Sequence, residues 1–216
     1  MSAALALTAA ASARSHAVVA EELEALCERL RGVTVRIHTR GGRFDGVGAG
    51  VLWPFTGQRL VVTNTHVVPP SRGDELYVEH ADRRVTAARV IARDTDRDLA
   101  LLQLDDDGNG SPSVATIGDA RALRAGELLV ALGHPFGVGG ALSVGVVHAA
   151  PNSSSQWVRA DVRLAPGNSG GPLATLDGAV VGINAMIADG LGIAVPAHLV
   201  QELVRAVVHN EARAAP

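Results

Sequence analysis

Apolar and polar residues follow one rhythm over roughly the first thirty residues and another over the rest. The opening "MSAALALTAAASA" is small, apolar and aperiodic. It ends in an Ala-x-Ala-like pattern, and with no basic residue ahead of it this is a weak export signal, so both a cytoplasmic and an exported location stay open. From near Ser15, "SHAVVAEELEALCERLRG" places apolar residues at 19, 23, 26, 27 and 30, a helical stripe that Gly32 should close. Beyond Gly32 the pattern shifts to short β-branched runs broken by Gly, Pro, Asp and Asn. It predicts strands near 33–38, 47–53, 59–63, 76–80, 84–91 and 99–104. "DDDGNGSPS" then interrupts, and six more strands are expected near 127–132, 141–149, 156–162, 171–176, 179–184 and 191–195. The tail from Pro196, with Leu199, Val200, Leu203, Val204 and Val207 in register, reads as a terminal helix. Two sets of six strands predict an all-β double barrel, each half closing its own sheet so that no long edge is exposed. The expected plan is a segment and helix over 1–32 and a single domain over 33–212. In that domain one barrel covers about 33–107, the second about 120–195, and the helix about 196–212.

Composition narrows the chemistry. With 216 residues, 47% hydrophobic and 19% charged, the chain can bury a substantial core. Its net charge of −3 contains no block of like charge, which argues against nucleic acid or an anionic membrane as partner. All 19 basic residues are arginine, which removes Schiff-base lysines and serine–lysine dyads. The single cysteine, Cys27, excludes an intramolecular disulfide and any zinc site needing paired thiolates, and on its helical stripe it reads as a small core residue. No segment is apolar for long enough to span a bilayer. Histidines 16, 38, 80, 148, 198 and 209 lack metal-ligand spacing, so no metal is expected, and His134 in its Gly-Pro turn reads as a structural hydrogen-bonder. "GGRFDGVGAG" and "GHPFGVGG" resemble phosphate loops, but neither sets GxGxxG between a strand and a helix. Both read as barrel turns, with no nucleotide cofactor.

One segment demands more than a structural explanation. In "APGNSGGPL" glycines 167, 170 and 171 allow a sharp turn with forward-facing N–H groups, stiffened by Pro166 and Pro172, and Ser169 sits at the mouth of this nest. A serine hydroxyl attacks a carbonyl only with a base to take its proton and donors for the oxyanion. "VVTNTHVVPP" supplies His66 directly after an apolar strand, and "DTDRDLALLQL" supplies Asp98 directly before another. Asp94 and Asp96 compete for that place, but Asp98 alone immediately precedes the apolar run. His, Asp, Ser is the chain order of chymotrypsin-like proteases.

At these residues the sequence resembles the HtrA (Deg) family of trypsin-like serine proteases. The likeness runs from about residue 33 to 200, through "GVGAGVLW", "VVTNTHVV", "DRDLALLQL", "LVALGHPFG", "APGNSGGPL" and "GINAMIADGLGIAVP". The resemblance implies Ser169 as nucleophile, His66 as general base and Asp98 as the group holding the imidazole tautomer. It also implies an oxyanion hole from the backbone N–H groups of Gly167 and Ser169. It implies unfolded or flexible polypeptide substrates, as in protein quality control, often a trimeric assembly, and an apolar specificity pocket bordered by Leu164, Ala185 and Ile187. Substrate backbone would pair along 184–186.

Departures from the family are equally specific. The chain stops about twenty residues after Val195, so no PDZ domain is expected, and the loop "AAPNSSSQ" is short where relatives carry a regulatory insertion. Asn168 stands where digestive trypsins have the aspartate that pairs with a newly cut N-terminus, so activation by that cut is not expected. Ala185 replaces a hydroxyl residue able to support Asp98, and Arg163 stands near the base of the specificity pocket. The leading expectation is a serine endopeptidase. The alternative is a catalytically silent trypsin-like fold serving as a peptide-binding or assembly module.

Overall fold

In the computed structural model, described over residues 2–39, 47–55, 59–69, 76–105 and 113–214, two helices flank twelve strands. Most of "DDDGNGSPS" and the first part of "GGRFDGVGAG" lie outside the described residues. Helix α1 (Ser2–Val33) leads into β1 (Thr34–Thr39), β2 (Val47–Trp53), β3 (Leu60–Thr63), β4 (Leu76–Glu79), β5 (Val85–Asp94) and β6 (Leu99–Leu104). These close into one barrel in the order β1-β2-β3-β6-β5-β4. Next come β7 (Leu128–Gly133), β8 (Ala141–Ala149), β9 (Val158–Asp161), β10 (Pro172–Thr175), β11 (Val180–Ala188) and β12 (Leu191–Pro196), closed in the order β10-β11-β12-β9-β8-β7. Helix α2 (Ala197–Ala214) follows β12 without a loop. The all-β double six-stranded barrel with flanking helices is the fold expected from the strand rhythm.

The near-continuous apolar runs have a packing cause. Successive side chains of a strand point to opposite faces, and several strands here are buried on both. In β3, Leu60 and Val62 enter the cluster between the barrels, while Val61 points into the first barrel. β6 divides likewise, with Leu99 and Leu101 between the barrels and Ala100 and Leu102 inside. β7 sends Val130 and Leu132 between the barrels and Leu129 and Ala131 into the second. The inter-barrel cluster is therefore a third core. Trp53, Ile183 and Val195 contribute to it, and both helices cap it, through Leu26 and Leu30 of α1 and Val200 and Val204 of α2.

Helix α1 differs from its expected start and stop. It begins at Ser2, some way ahead of Ser15, because the alanine-rich opening carries high helix propensity even without an apolar stripe. Gly32 lies within the last turn, and the helix ends at Val33, where the Thr34 hydroxyl donates to the Leu30 carbonyl at 2.7 Å. Of the stripe, Leu26 and Leu30 are buried, Cys27 is half-buried, and Val19 is exposed. Burial pushes the Cys27 thiol pKa up, which leaves it un-ionised, as a core residue should be. Among the described residues no helix is long and apolar enough to cross a membrane.

Leu30 is 1% exposed and joins α1 to the third core. Leu30→Ala should cost about 2–5 kcal/mol of unfolding free energy in urea titration, the range for emptying a well-packed leucine site. A loss below about 1 kcal/mol would mean that α1 rests on the barrels without stabilising them.

Candidate active site

His66 lies in a short 3-10 turn, Thr65–Val67, directly after β3. Asp98 ends the turn between β5 and β6 and adopts a left-handed φ of 52°, a conformation that aspartate tolerates better than most residues. The strand-end sequence "TNT" locks it there. The Asn64 side-chain amide donates to the Asp98 carbonyl at 2.8 Å, the Thr65 N–H donates to the same carbonyl at 3.3 Å, and the Thr65 hydroxyl donates to the Leu99 carbonyl at 2.8 Å. The Asp98 carboxylate then receives the His66 backbone N–H on Oδ1 at 3.1 Å and meets His66 Nδ1 with Oδ2 at 2.7 Å. A carboxylate on Nδ1 keeps the proton there and leaves Nε2 as the free base. Asp94 instead accepts the Arg97 N–H at 3.0 Å and pairs with its guanidinium, and Asp96 is exposed.

Ser169 belongs to the other barrel, in the loop from β9 to β10, and that loop is docked onto the first barrel. Ala49 of β2 donates its N–H to the Ser169 carbonyl at 2.9 Å, and the Thr63 hydroxyl donates to the Ala49 carbonyl at 2.7 Å. The approach requires a residue without a side chain: at Gly170, φ 84°, a Cβ would lie 2.0 Å from the Ala49 oxygen and 2.3 Å from the Thr63 hydroxyl. From behind, Asn184 of β11 clamps the loop by accepting the Gly170 N–H at 2.8 Å and donating to Gly171 at 2.9 Å. Gly167, φ 103°, turns its carbonyl onto the His134 N–H at 2.9 Å. The N–H groups of Gly167 and Ser169 have no acceptor among the described residues. The Ser169 hydroxyl donates to the Ala185 carbonyl at 3.2 Å, and no hydrogen bond joins it to His66 among the described residues.

Beside Ser169 a cavity of about 290 Å³ is lined by Leu164, Pro166, Ala185, Met186 and Ile187 among others. β11 pairs with β12 along this stretch, but its register slips between Asn184 and Met186. Its pairing with β10 ends at Ile183, so on that side residues 185–188 meet no strand among the described residues. Leu164, Ala185 and Ile187 all border the cavity, whereas Arg163 is exposed and does not line it.

The trypsin-like peptidase domain family matches residues 48–183, which run from β2 into the start of β11 and include His66, Asp98 and Ser169. The chain belongs to the trypsin-like peptidase family. It is 39% identical over 163 residues to a probable periplasmic serine endoprotease DegP-like protein of Pseudomonas putida, covering 70% of this chain and 33% of that one. It is 33% identical over 178 residues to the periplasmic serine endoprotease DegP of Salmonella typhimurium, covering 77% of this chain and 36% of the relative. This trypsin-like peptidase thus spans about a third of the length of those relatives. Sequence reasoning missed Asn64, Thr63 and Asn184, which hold the site from outside. A signal was present, since Thr63 and Asn184 are buried polar residues in apolar strands, with Asn64 directly after one, and each had to find partners there.

His134, whose backbone restrains Gly167, has a buried ring. Burial first, and then the Arg36 charge, push its pKa down from 6.5 to about 4, against a smaller upward pull from the Val35 backbone. An unfolded chain binds this proton more readily than the folded one. Stability should therefore be complete above pH 6.5 and fall as pH drops from 6.5 towards 4. Glu79 is shifted down, chiefly by its bond to His38, and so acts in a separate, lower window. Unfolding measured against pH should show the upper decline in the wild type and lose most of it in His134→Asn; an unchanged decline would assign it to another group. Gly170→Ala should cost more than about 2 kcal/mol, because a positive φ and a backbone clash coincide there. A tolerated Gly170→Ala, with melting temperature unchanged, would refute the close docking of the loop.

Proposed function

We propose that this trypsin-like peptidase is a serine endopeptidase working through Ser169, His66 and Asp98. The observation that carries the reading is the Asp98–His66 pair at 2.7 Å, on the rim of one barrel, beside a serine loop hydrogen-bonded to that same barrel at Ala49. In the reaction, Ser169 Oγ attacks the substrate carbonyl carbon and its proton passes to His66 Nε2. The carbonyl oxygen, now negative, takes the free N–H groups of Gly167 and Ser169. Collapse breaks the C–N bond, His66 returns the proton to the leaving amine, and water repeats the sequence on the acyl-enzyme. To begin, the hydroxyl exchanges the Ala185 carbonyl for His66; such contacts often tighten only when substrate is bound.

The substrate is flexible polypeptide. Its backbone adds as a strand along β11 near Ala185, where the pairing with β10 has ended, and this supplies affinity with little sequence preference. The cavity of Leu164, Ala185 and Ile187 takes a small aliphatic side chain, so cleavage follows valine, alanine or leucine.

A fluorophosphonate probe should label Ser169 in folded protein at neutral pH and fail to label His66→Ala; a folded wild type that stays unlabelled would favour the silent-module reading. Ser169→Ala and His66→Ala should each reduce turnover by several orders of magnitude and the double variant little further, because the groups act as a unit. Asp98→Asn should cost about 10⁴ in rate with the fold preserved, by favouring the wrong tautomer. In a peptide-library digest, cleavage should follow small aliphatic residues and be unaffected by Arg163→Ala. Dominant cleavage after acidic residues, lost in that variant, would overturn the pocket assignment.

A further inference from the structure

A second cavity, about 160 Å³, opens between α1, the β1–β4 pair and the loop joining β7 to β8. Arg31, Arg36, Glu79, Arg83, His134 and Gly140 line it among others, three guanidinium groups to one carboxylate. That carboxylate is already occupied. Glu79 takes Arg83 on Oε1 at 3.2 Å, and on Oε2 it meets His38 at 2.9 Å and Arg36 at 3.5 Å. Arg36 also donates to the Gly137 carbonyl at 2.9 Å, yet its Nε is buried with no hydrogen-bond partner among the described residues. His134 Nδ1 accepts the Gly140 N–H at 3.2 Å, so the neutral ring carries its proton on Nε2. This N–H is likewise buried without a well-aligned partner, on a residue 9% exposed. The Val35 carbonyl approaches this ring without good alignment, Arg36 Nε has no acceptor among the described residues, which is costly, and the surplus positive charge around both favours an anion over water.

We propose that this cavity takes a carboxylate group between Arg36 Nε and His134 Nε2, and that its occupancy is transmitted to the Gly167 turn. The volume equals about five waters' share of liquid, room for a carboxylate and a few carbons, as in a polypeptide C-terminus or a small dicarboxylic acid. Transmission is short: the His134 N–H holds the Gly167 carbonyl at 2.9 Å, and a Cβ on Gly167 would lie 2.3 Å from the His134 oxygen. A ligand that anchors the ring thereby limits the movement of the turn whose N–H groups face the reacting carbonyl. This second half rests on the protease reading; binding does not.

The experiment titrates ¹⁵N-labelled full-length Ser169→Ala protein, which cannot cleave the probes. The probes are succinate, an N-acetylated tripeptide with a free C-terminus, the same tripeptide as its amide, and inorganic phosphate. Carboxylate probes should shift the amides of Gly139, Gly140 and Gly167 saturably. Binding should weaken at least tenfold in Arg36→Gln and at least threefold in Arg83→Gln, whose side chain is 81% exposed and tolerates replacement. Response to the free tripeptide but not its amide identifies a chain end as the source, and response to succinate alone identifies a small acid; either supports the site. No saturable shift, equal affinity in both variants, or phosphate binding at least as tightly would overturn it. In the wild type, the saturating carboxylate should speed fluorophosphonate labelling at least twofold. Intact binding with unchanged labelling overturns the transmission alone, and intact binding with no labelling at all counts against the protease reading instead.

Discussion

The hydrogen bond from Ala49 N–H to the Ser169 carbonyl joins, main chain to main chain, two barrels that meet chiefly through apolar side chains and, at the exposed edge, through Arg36 and the Gly137 carbonyl. Hydrophobic contact is non-directional and sets no register between the surfaces it joins. The proposed reaction, between a serine on one barrel and a His–Asp pair on the other, needs that register to be set to well under about 1 Å. The main chain of β2 supplies it, with the Thr63 hydroxyl bracing the Ala49 carbonyl and Gly170 leaving the space. Ala49 and Thr63 are fully buried, so water cannot compete for the bonds.

The His66–Asp98 side of the site is held by a different device. A left-handed residue at the head of β6 carries a conformational cost, offset by Asn64 and Thr65, which draw the Asp98 carbonyl against β3. The carboxylate is thereby aimed while its backbone is tied, and the His66 backbone N–H gives it a second donor from the histidine side. Helix α2 extends the brace through Glu202, 3.6 Å from the Arg97 guanidinium one residue before Asp98.

Much of this was legible in the chain. All twelve strands announced themselves, because burial on one or both faces leaves apolar runs that turn residues delimit, as in "LVVT" and "LALLQL". His66, Asp98 and Ser169 stood out through their places at strand ends and in a glycine turn. The first part of α1 did not, since an alanine-rich stretch has propensity but no face. Nor did the roles of Asn64 and Asn184, because a buried amide acquires its meaning only from carbonyls brought close by folding. The cavity of Arg36 and His134 was wholly illegible: its walls come from α1, from β1 and β4 of the first barrel, and from a loop of the second.

The order of the pieces along the chain has a consequence for synthesis. Residues of β1–β6, with His66 and Asp98, leave the ribosome first, and the serine loop follows only after β9. The core that brings the halves together is completed by Val200 and Val204 of α2, which follows the second barrel. Long-range strand pairing is slow to form, and domains fold vectorially as they emerge. A growing chain therefore carries His66 and Asp98 with no serine loop beside them, and then a serine loop that is not yet in register with them. Under the proposed triad, assembly order itself keeps the serine latent until both barrels and α2 have been made.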